Sequence, residues 1–152
     1  MATLHFEDYE VGYTARAGAY LVREEEVIEF GERFDPRPFH TDPEAARESV
    51  FGGLVASGSH VFCIRSWLSN RLPDQPALVA GLGSEKLDLP APVRPGDELS
   101  LEVECLEVRA SKSRPETGVV RMRNRVENQR GETVMSLIAL MLVFRREAPA
   151  SS

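Results

Sequence analysis

The residues with the clearest chemical potential lie in one short segment, Asp35-Pro36-Arg37-Pro38-Phe39-His40. A carboxylate beside an imidazole is a common arrangement for activating water, because the acid orients the ring and either group can carry a proton near neutral pH. Five fully extended residues would span about 17 Å, so the two prolines must turn the chain back for Asp35 and His40 to meet. The plainer interpretation is that Asp35 caps a turn and His40 packs against a neighbouring helix.

Gly58 is the second candidate. In the first turn of a helix its amide would have no acceptor within the helix and would suit an oxyanion or a polarised carbonyl; the alternative is a glycine that only allows close packing. Ser66 lies eight residues further on, about two turns along the same face. It could hydrogen-bond the acid–base pair, although a serine bonded to the carbonyl four residues earlier is the commoner case. Ser57 or Ser59 would then be the N-cap, and a lone His60 on an apolar helix is more often structural.

The element that must position these residues is the stretch from Gly52 to Leu72, which predicts a central helix. Large apolar side chains occur in nearly every turn of it, so the helix must be covered on most sides. The strand-like second half of the chain could supply that cover. We therefore expect an antiparallel sheet wrapped around this one helix. Its apolar residues are Val61, Phe62, Ile64, Trp67 and Leu68.

Shorter helices should frame the Asp35 segment. The segment Arg23–Phe34 has an apolar stripe and begins with three acids, which favours an amphipathic helix. Proline disfavours the α region for the preceding residue, so that helix should end before Pro36. A short helix over Pro43–Ser49 follows, with either Thr41 or Asp42 as its N-cap.

The remaining segments read as strands and turns. Alternating apolar and polar residues predict strands with one buried face, whereas a segment that is apolar on both faces predicts an inner strand, covered on its outer side by another subunit. Proline followed by glycine favours a type II turn. The predicted strands are 13–22, 77–89, a segment containing Leu99 to Cys105, a segment containing Val120 to Val126, and the apolar Thr133–Phe144, with turns at Arg94–Asp97 and Asn128–Gly131.

Composition limits the class of protein. The 152 residues, 42% hydrophobic and 28% charged, fit one globular domain over residues 1–147 with a disordered tail at 148–152. A net charge of -6 argues against nucleic acid as a partner. Cys63 and Cys105 form no C-x-x-C pair, so we expect two reduced core thiols in a cytoplasmic protein. The longest apolar run, Leu137–Phe144, is far shorter than the roughly 20 residues of a membrane-spanning helix. No motif indicates a metal or a cofactor.

The two motifs together resemble those of the MaoC-like dehydratases, the family of the (R)-specific enoyl-CoA hydratases. That family's signature has the form D-x-N-P-x-H, and a glycine whose amide polarises the thioester carbonyl follows the histidine by about eighteen residues. Here Gly58 follows His40 by eighteen residues. The Val93–Asp97 turn and the Asn128–Glu132 hairpin are also similar, so the resemblance extends over residues 6 to 145.

The resemblance implies an α+β hotdog fold, usually assembled as a homodimer or a dimer of dimers with the active site where subunits meet. It implies a hydro-lyase of fatty acid metabolism in which Asp35 and His40 activate one water for addition to a trans-2-enoyl-CoA, or for the reverse dehydration. The Gly58 amide would hold the enolate oxygen, and Ser66 matches a position beside the pair. Arg37 replaces the signature's asparagine and could meet a polar acyl group or a CoA phosphate. No cofactor or metal is implied.

Two other functions are compatible with such a fold. A hotdog thioesterase often carries a carboxylate on the central helix, but the segment from Gly58 to Leu72 contains no Asp or Glu. A non-catalytic acyl-CoA-binding subunit would keep the fold without turnover, and the intact Asp35, His40 and Gly58 argue against it.

Overall fold

The computed structural model describes residues 2–147, in which an antiparallel sheet of five strands packs on one long helix. The predicted tail at 148–152 lies outside the described residues. The strands are β1 (Thr3–Leu4), β2 (Thr14–Leu21), β3 (Gln75–Pro76), β4 (Leu78–Asp88), β5 (Glu98–Ala110), β6 (Thr117–Glu127) and β7 (Thr133–Phe144). The helices are α1 (Glu24–Phe34), α2 (Pro38–Thr41), α3 (Pro43–Arg47) and α4 (Gly58–Ser69), with a 3-10 turn at Phe6–Asp8.

The sheet has the strand order β2-β5-β6-β7-β4, and all its pairs are antiparallel. The predicted inner position of β7 is confirmed, because it pairs with β6 on one side and β4 on the other. Side chains that alternate along β5 and β6 are buried as predicted, among them Leu99, Leu101, Val120 and Val126. This is the hotdog arrangement of an α+β fold.

Helix α4 is covered by the sheet on one side only. Val61, Ile64 and Leu68 recur at helical spacing and are buried in the core. Trp67, by contrast, is 38% exposed. The prediction of a helix enclosed on nearly all sides is therefore wrong for the single chain. The prediction that both cysteines are core residues is also wrong, because Cys105 is buried but Cys63 is exposed on this open side.

Helices α1 and α3 lie where the prolines predicted them, and the structure adds one further short helix, α2. Helix α1 ends at Phe34 as expected, and the open choice of N-cap for α3 resolves to Asp42, whose Oδ1 accepts the Glu44 amide at 3.0 Å. The predicted elements do not include α2, a single turn that begins at Pro38. Proline fits the first position of a helix because its missing N–H would be unpaired there in any case.

Two glycines carry the predicted turns. Gly96 has φ 93° and Gly131 has φ 75°, a backbone region that residues with a Cβ rarely adopt. The first matches the type II turn predicted before β5, and the second closes the hairpin before β7. Within residues 2–147, no helix has both the length and the apolar character needed to span a membrane.

Candidate active site

His40 is held rigidly inside the protein by the short helix α2. Its side chain is buried, and the Nδ1 atom lies 2.6 Å from the carbonyl oxygen of Val55. A carbonyl oxygen can only accept a hydrogen bond, so Nδ1 carries the hydrogen and donates it. Nε2 is therefore the nitrogen that can take up and release a proton.

The chain between Asp35 and His40 does turn back, as the predicted pairing required. Asp35 closes the C-terminal end of α1, and Arg37 is extended before α2 begins. One helical turn later, His40 Nε2 lies 3.3 Å from Asp35 Oδ2. The alternative, in which His40 only packs on a helix, does not account for this contact.

Two further groups hold the Asp35 carboxylate. Ser57 Oγ donates to Oδ2 at 2.9 Å, and Arg37 Nε donates to Oδ1 at 3.1 Å. The Asp35 side chain is 29% exposed, whereas that of His40 is 7% exposed. The carboxylate therefore lies at the boundary between solvent and the buried imidazole, where a single water can reach both.

The two groups lie within reach of one water. An unprotonated Nε2 and a carboxylate oxygen are both acceptors, and at a separation of 3.3 Å a single water can donate to both. Such an arrangement can take a proton from water with one group and return one with the other.

Gly58 begins helix α4, and Ser57 is its N-cap, with Oγ accepting the Ser59 amide at 3.3 Å. As the first helical residue, Gly58 presents an amide with no acceptor inside the helix and with the positive end of the helix dipole behind it. A Cβ at this position would lie 2.7 Å from Leu89 Cδ1. The missing side chain therefore keeps the space between α4 and Leu89 open.

Two cavities share Gly58 as a lining residue. The first, of about 350 Å³, has an apolar wall and is lined by His40, Val61 and Val134 among others. The second, which we call the Asp35 cleft, is more open and runs along α4 past Asp35 and Phe62. A ligand that contacts the Gly58 amide can therefore reach both members of the pair.

Ser66 is not brought to this site within the single chain. Its Oγ donates to the Phe62 carbonyl at 3.3 Å and accepts from Arg65 at 3.1 Å. This is the commoner arrangement for a serine within a helix, bonded to the carbonyl four residues earlier. Ser57, which the sequence indicated only as a cap, takes the place beside Asp35 that had been expected of Ser66.

His60 has the structural environment expected of it. Its ring stacks on Phe30 with centroids 4.6 Å apart, and Nε2 lies 3.1 Å from Glu26 Oε1. Burial lowers the pKa of His60, and the hydrogen bond to Glu26 opposes that shift only in part. The Tyr20 hydroxyl donates a hydrogen bond to the same Glu26 oxygen. Burial is the larger cause and this hydrogen bond the second, and together they raise the pKa of Tyr20 to about 12.

One residue that positions the pair was not among the predicted site residues. Gly31, buried in the middle of α1, allows α2 to approach so closely that a Cβ would lie 2.9 Å from His40 Cβ. An isolated glycine inside a helical pattern is the signal that could have identified it, since glycine lowers helix stability and usually has a packing reason there.

The chain thus has a hotdog fold with a carboxylate–imidazole pair beside the first turn of its long helix, and comparison with known proteins identifies its family. A model of the MaoC like domain matches residues 8–129. The chain belongs to the MaoC-like dehydratase family.

Solved structures and a curated relative agree with this assignment. The MaoC-like dehydratase from Rhodospirillum rubrum is 40% identical, with a TM-score of 0.87 over 95% of this chain and 99% of that one. An R-hydratase from Pseudomonas aeruginosa is 27% identical, with a TM-score of 0.75 over 97% of this chain and 95% of that one. The 3-hydroxybutyryl-CoA dehydratase of Methylorubrum extorquens strain AM1 is 32% identical over 114 residues, which cover 71% of this chain and 68% of the relative.

Proposed function

We propose that this protein adds water to a trans-2-enoyl-CoA thioester to give the (R)-3-hydroxyacyl-CoA, or catalyses the reverse dehydration. The observation that carries the proposal is the 3.3 Å contact of His40 Nε2 with Asp35 Oδ2 next to the first amide of α4. The names of the similar R-hydratase and 3-hydroxybutyryl-CoA dehydratase support an acyl-CoA substrate and the (R) product.

In the proposed reaction, one water is bound between Asp35 and His40. One of these groups removes a proton from the water as its oxygen forms a bond to C3 of the enoyl group. The π electrons of the double bond move toward the thioester and give an enolate. The other group of the pair, which carries a proton at the start, delivers it to C2. Transfer of the removed proton from the first group to the second then restores the pair, so the net addition is one hydrogen and one hydroxyl, the elements of one water.

The Gly58 amide acts on the thioester oxygen in this proposal. Negative charge develops on that oxygen as the enolate forms, and a fixed N–H at a helix N-terminus stabilises such charge without reorganisation. Ser57 and Arg37 orient the Asp35 carboxylate. Among residues 2–147 only the Nε atom of the Arg37 side chain has an acceptor, and the side chain is 67% exposed. Its other N–H groups are therefore available to an anionic part of the substrate, such as a CoA phosphate.

The proposal includes a homodimer. Strand β4 is an edge of the sheet and carries exposed Leu78, Leu82 and Leu87, and Trp67 is exposed on α4. An exposed apolar edge strand is a site for pairing with another chain. Sedimentation at micromolar concentration should give a dimer, and a monomer at all concentrations would contradict this part.

The test of the reaction follows the loss of the conjugated enoyl absorbance with crotonyl-CoA and longer enoyl-CoAs. Wild type should consume the enoyl thioester, and Asp35→Asn should lower kcat by about 10²- to 10⁴-fold, because general acid–base catalysis contributes that much. Asp35→Asn keeps the size of the side chain, so its thermal unfolding should resemble that of wild type. Near-normal turnover in a folded Asp35→Asn protein would refute the mechanism, and release of thiol without hydration would indicate a thioesterase.

A further inference from the structure

A separate cavity of about 330 Å³ lies between the C-terminal half of α4 and the strands β4, β6 and β7. We call it the Arg65 cavity, after the one cation among its lining residues within 2–147. Most of its large side chains are apolar. They include Phe62, Leu72, Leu78, Met122, Leu140 and Met141.

The Arg65 guanidinium is fixed in one orientation by neutral groups. One terminal nitrogen donates to Asn124 Oδ1 at 3.0 Å, and the other donates to Ser66 Oγ at 3.1 Å. The guanidinium carbon lies 4.5 Å from the centroid of the Phe62 ring. Arg65 Nε is buried and has no hydrogen-bond acceptor among the described residues. One N–H on each terminal nitrogen of this planar fork is left for a ligand.

The Asn124 side chain holds the Arg65 guanidinium in place. It occupies a buried position on β6, in the row that Met122 and Val126 otherwise fill with apolar side chains. While Oδ1 accepts from Arg65, Nδ2 donates to the Met122 carbonyl at 3.1 Å. Both ends of the amide are used, so the guanidinium cannot rotate without leaving a buried polar group unpaired.

Among the residues that the structure describes, no carboxylate compensates the charge of Arg65. Within residues 2–147, no Asp or Glu oxygen lies within ion-pair distance of it, although Asp74 lines the same cavity and accepts the Ala2 amide at 3.1 Å. Burial lowers the pKa of Arg65, with no acidic group to oppose the shift. A half-buried cation bonded only to neutral groups is costly, and an anion would offset that cost.

The Arg65 cavity is adjacent to the Asp35 cleft, because Phe62 lines both. Gly58 and Arg65 are seven residues apart on α4, which is almost two full turns. They therefore lie on nearly the same face of the helix, about 10 Å apart along its axis. An acyl group whose thioester oxygen contacts the Gly58 amide can extend past Phe62 toward Arg65.

We propose that the Arg65 cavity binds a short apolar chain that ends in a carboxylate, with the carboxylate on the Arg65 guanidinium. This inference rests on the proposed function: the apolar chain of the ligand is the far end of the acyl group. The preferred substrates are then enoyl thioesters of dicarboxylic acids. A free carboxylic acid presents the same chemistry, and the experiment must separate these two sources.

The first measurement compares kcat/KM for trans-2-hexenoyl-CoA and trans-2-hexenedioyl-CoA, which have the same chain length and differ in the terminal methyl or carboxylate. Wild type should favour the carboxylate by about 10- to 100-fold, since a hydrogen bond between charged groups has about that effect. Arg65→Met and Arg65→Gln should lose the preference, and the glutamine still offers a donor to Asn124. Arg71→Met, which removes an exposed arginine packed on Trp67, is the matched control and should keep it.

The second measurement does not depend on turnover. With methyl-labelled methionine, hexanoate should shift the NMR signals of Met122 and Met141 in wild type and not in Arg65→Gln, whereas hexan-1-ol should not. Met135 lies outside the cavity lining and is the internal reference.

The outcomes separate the two proposals. Hexanoate shifts together with a carboxylate preference confirm the acyl-terminus assignment, and shifts without the preference assign the cavity to a free acid. If neither thioester is hydrated while hexanoate still binds, the proposed reaction fails and the Arg65 site stands. Absence of both hexanoate binding and substrate preference overturns the inference, as does a preference that Arg65→Gln retains.

Discussion

A single methyl group at position 31 should impair the site without unfolding the chain. Gly31 lies in α1, where an added Cβ would come within 2.9 Å of His40 Cβ and 3.1 Å of the His40 carbonyl oxygen. Carbon atoms in ordinary contact are about 3.5 to 4.0 Å apart, so the backbone of α2 would have to move by about 0.6 to 1.1 Å. Gly31→Ala therefore displaces His40 relative to Asp35.

The expected effect on activity is larger than the effect on stability. A displacement of about 1 Å in a reacting group can lower the rate by about 10²-fold, so kcat/KM should fall by about 10- to 100-fold. Alanine stabilises a helix by about 0.5–1 kcal/mol relative to glycine, and overpacking costs about 1–3 kcal/mol. The free energy of unfolding should therefore fall by no more than about 2.5 kcal/mol.

Hydration of an enoyl-CoA and unfolding in urea measure these two effects separately. Glu32→Ala is the matched control, because it changes the next residue of α1 at an exposed position. Its activity should equal that of wild type. A folded Gly31→Ala protein with wild-type kcat/KM would show that α2 accommodates the added methyl group without moving His40. That result would refute the conclusion that close packing at Gly31 positions His40.

Three further changes test the surroundings of the pair. Ser57→Ala removes both the donor to Asp35 and the N-cap of α4, so it should lower kcat about 10-fold and reduce the unfolding free energy by about 0.5–2 kcal/mol, measured in the same two assays. Arg37→Asn should raise KM for enoyl-CoA several-fold and weaken the dependence of KM on salt, whereas unchanged KM at all ionic strengths would exclude contact with the substrate anion. His60 has a lowered pKa in the folded protein, so below about pH 6.5 the unfolded chain binds more protons and stability falls as pH falls. His60→Phe should reduce that loss in urea unfolding at pH 7 and pH 5.5, and an identical pH dependence would contradict the assigned cause.

The elements were largely predictable because their signals are local. The alternation in β5 and β6, the acidic start of α1 and the prolines that end it are all properties of neighbouring residues. The open side of α4 was not predictable in this way. Apolar side chains indicate that a surface is to be covered, but not whether the cover comes from the same chain, and Trp67 remains 38% exposed here.

The contact between Asp35 and His40 could be predicted from the sequence, whereas the residues that hold this pair could not. Asp35 and His40 share one segment, so their spacing could be read directly. The partner of Asp35 is Ser57, twenty-two residues away, and the choice between Ser57 and Ser66 depends on the rotation of α4 about its axis. No local pattern fixes that rotation; the burial of Val61, Ile64 and Leu68 against the sheet does.

The segment just before α4 explains the eighteen-residue spacing between His40 and Gly58, because its hydrogen bonds fix the position of the helix N-terminus relative to His40. The Val55 amide donates to the Phe39 carbonyl at 3.1 Å, and the Val55 carbonyl accepts from His40 Nδ1 at 2.6 Å. The next-but-one residue, Ser57, donates to Asp35 and then caps α4. These bonds join Asp35, His40 and the N-terminus of α4 into one unit, so a motif that appears as two separate pieces in sequence is one hydrogen-bonded structure. An insertion or deletion between Val55 and Gly58 would therefore separate the Gly58 amide from the pair, even if every reactive residue were kept.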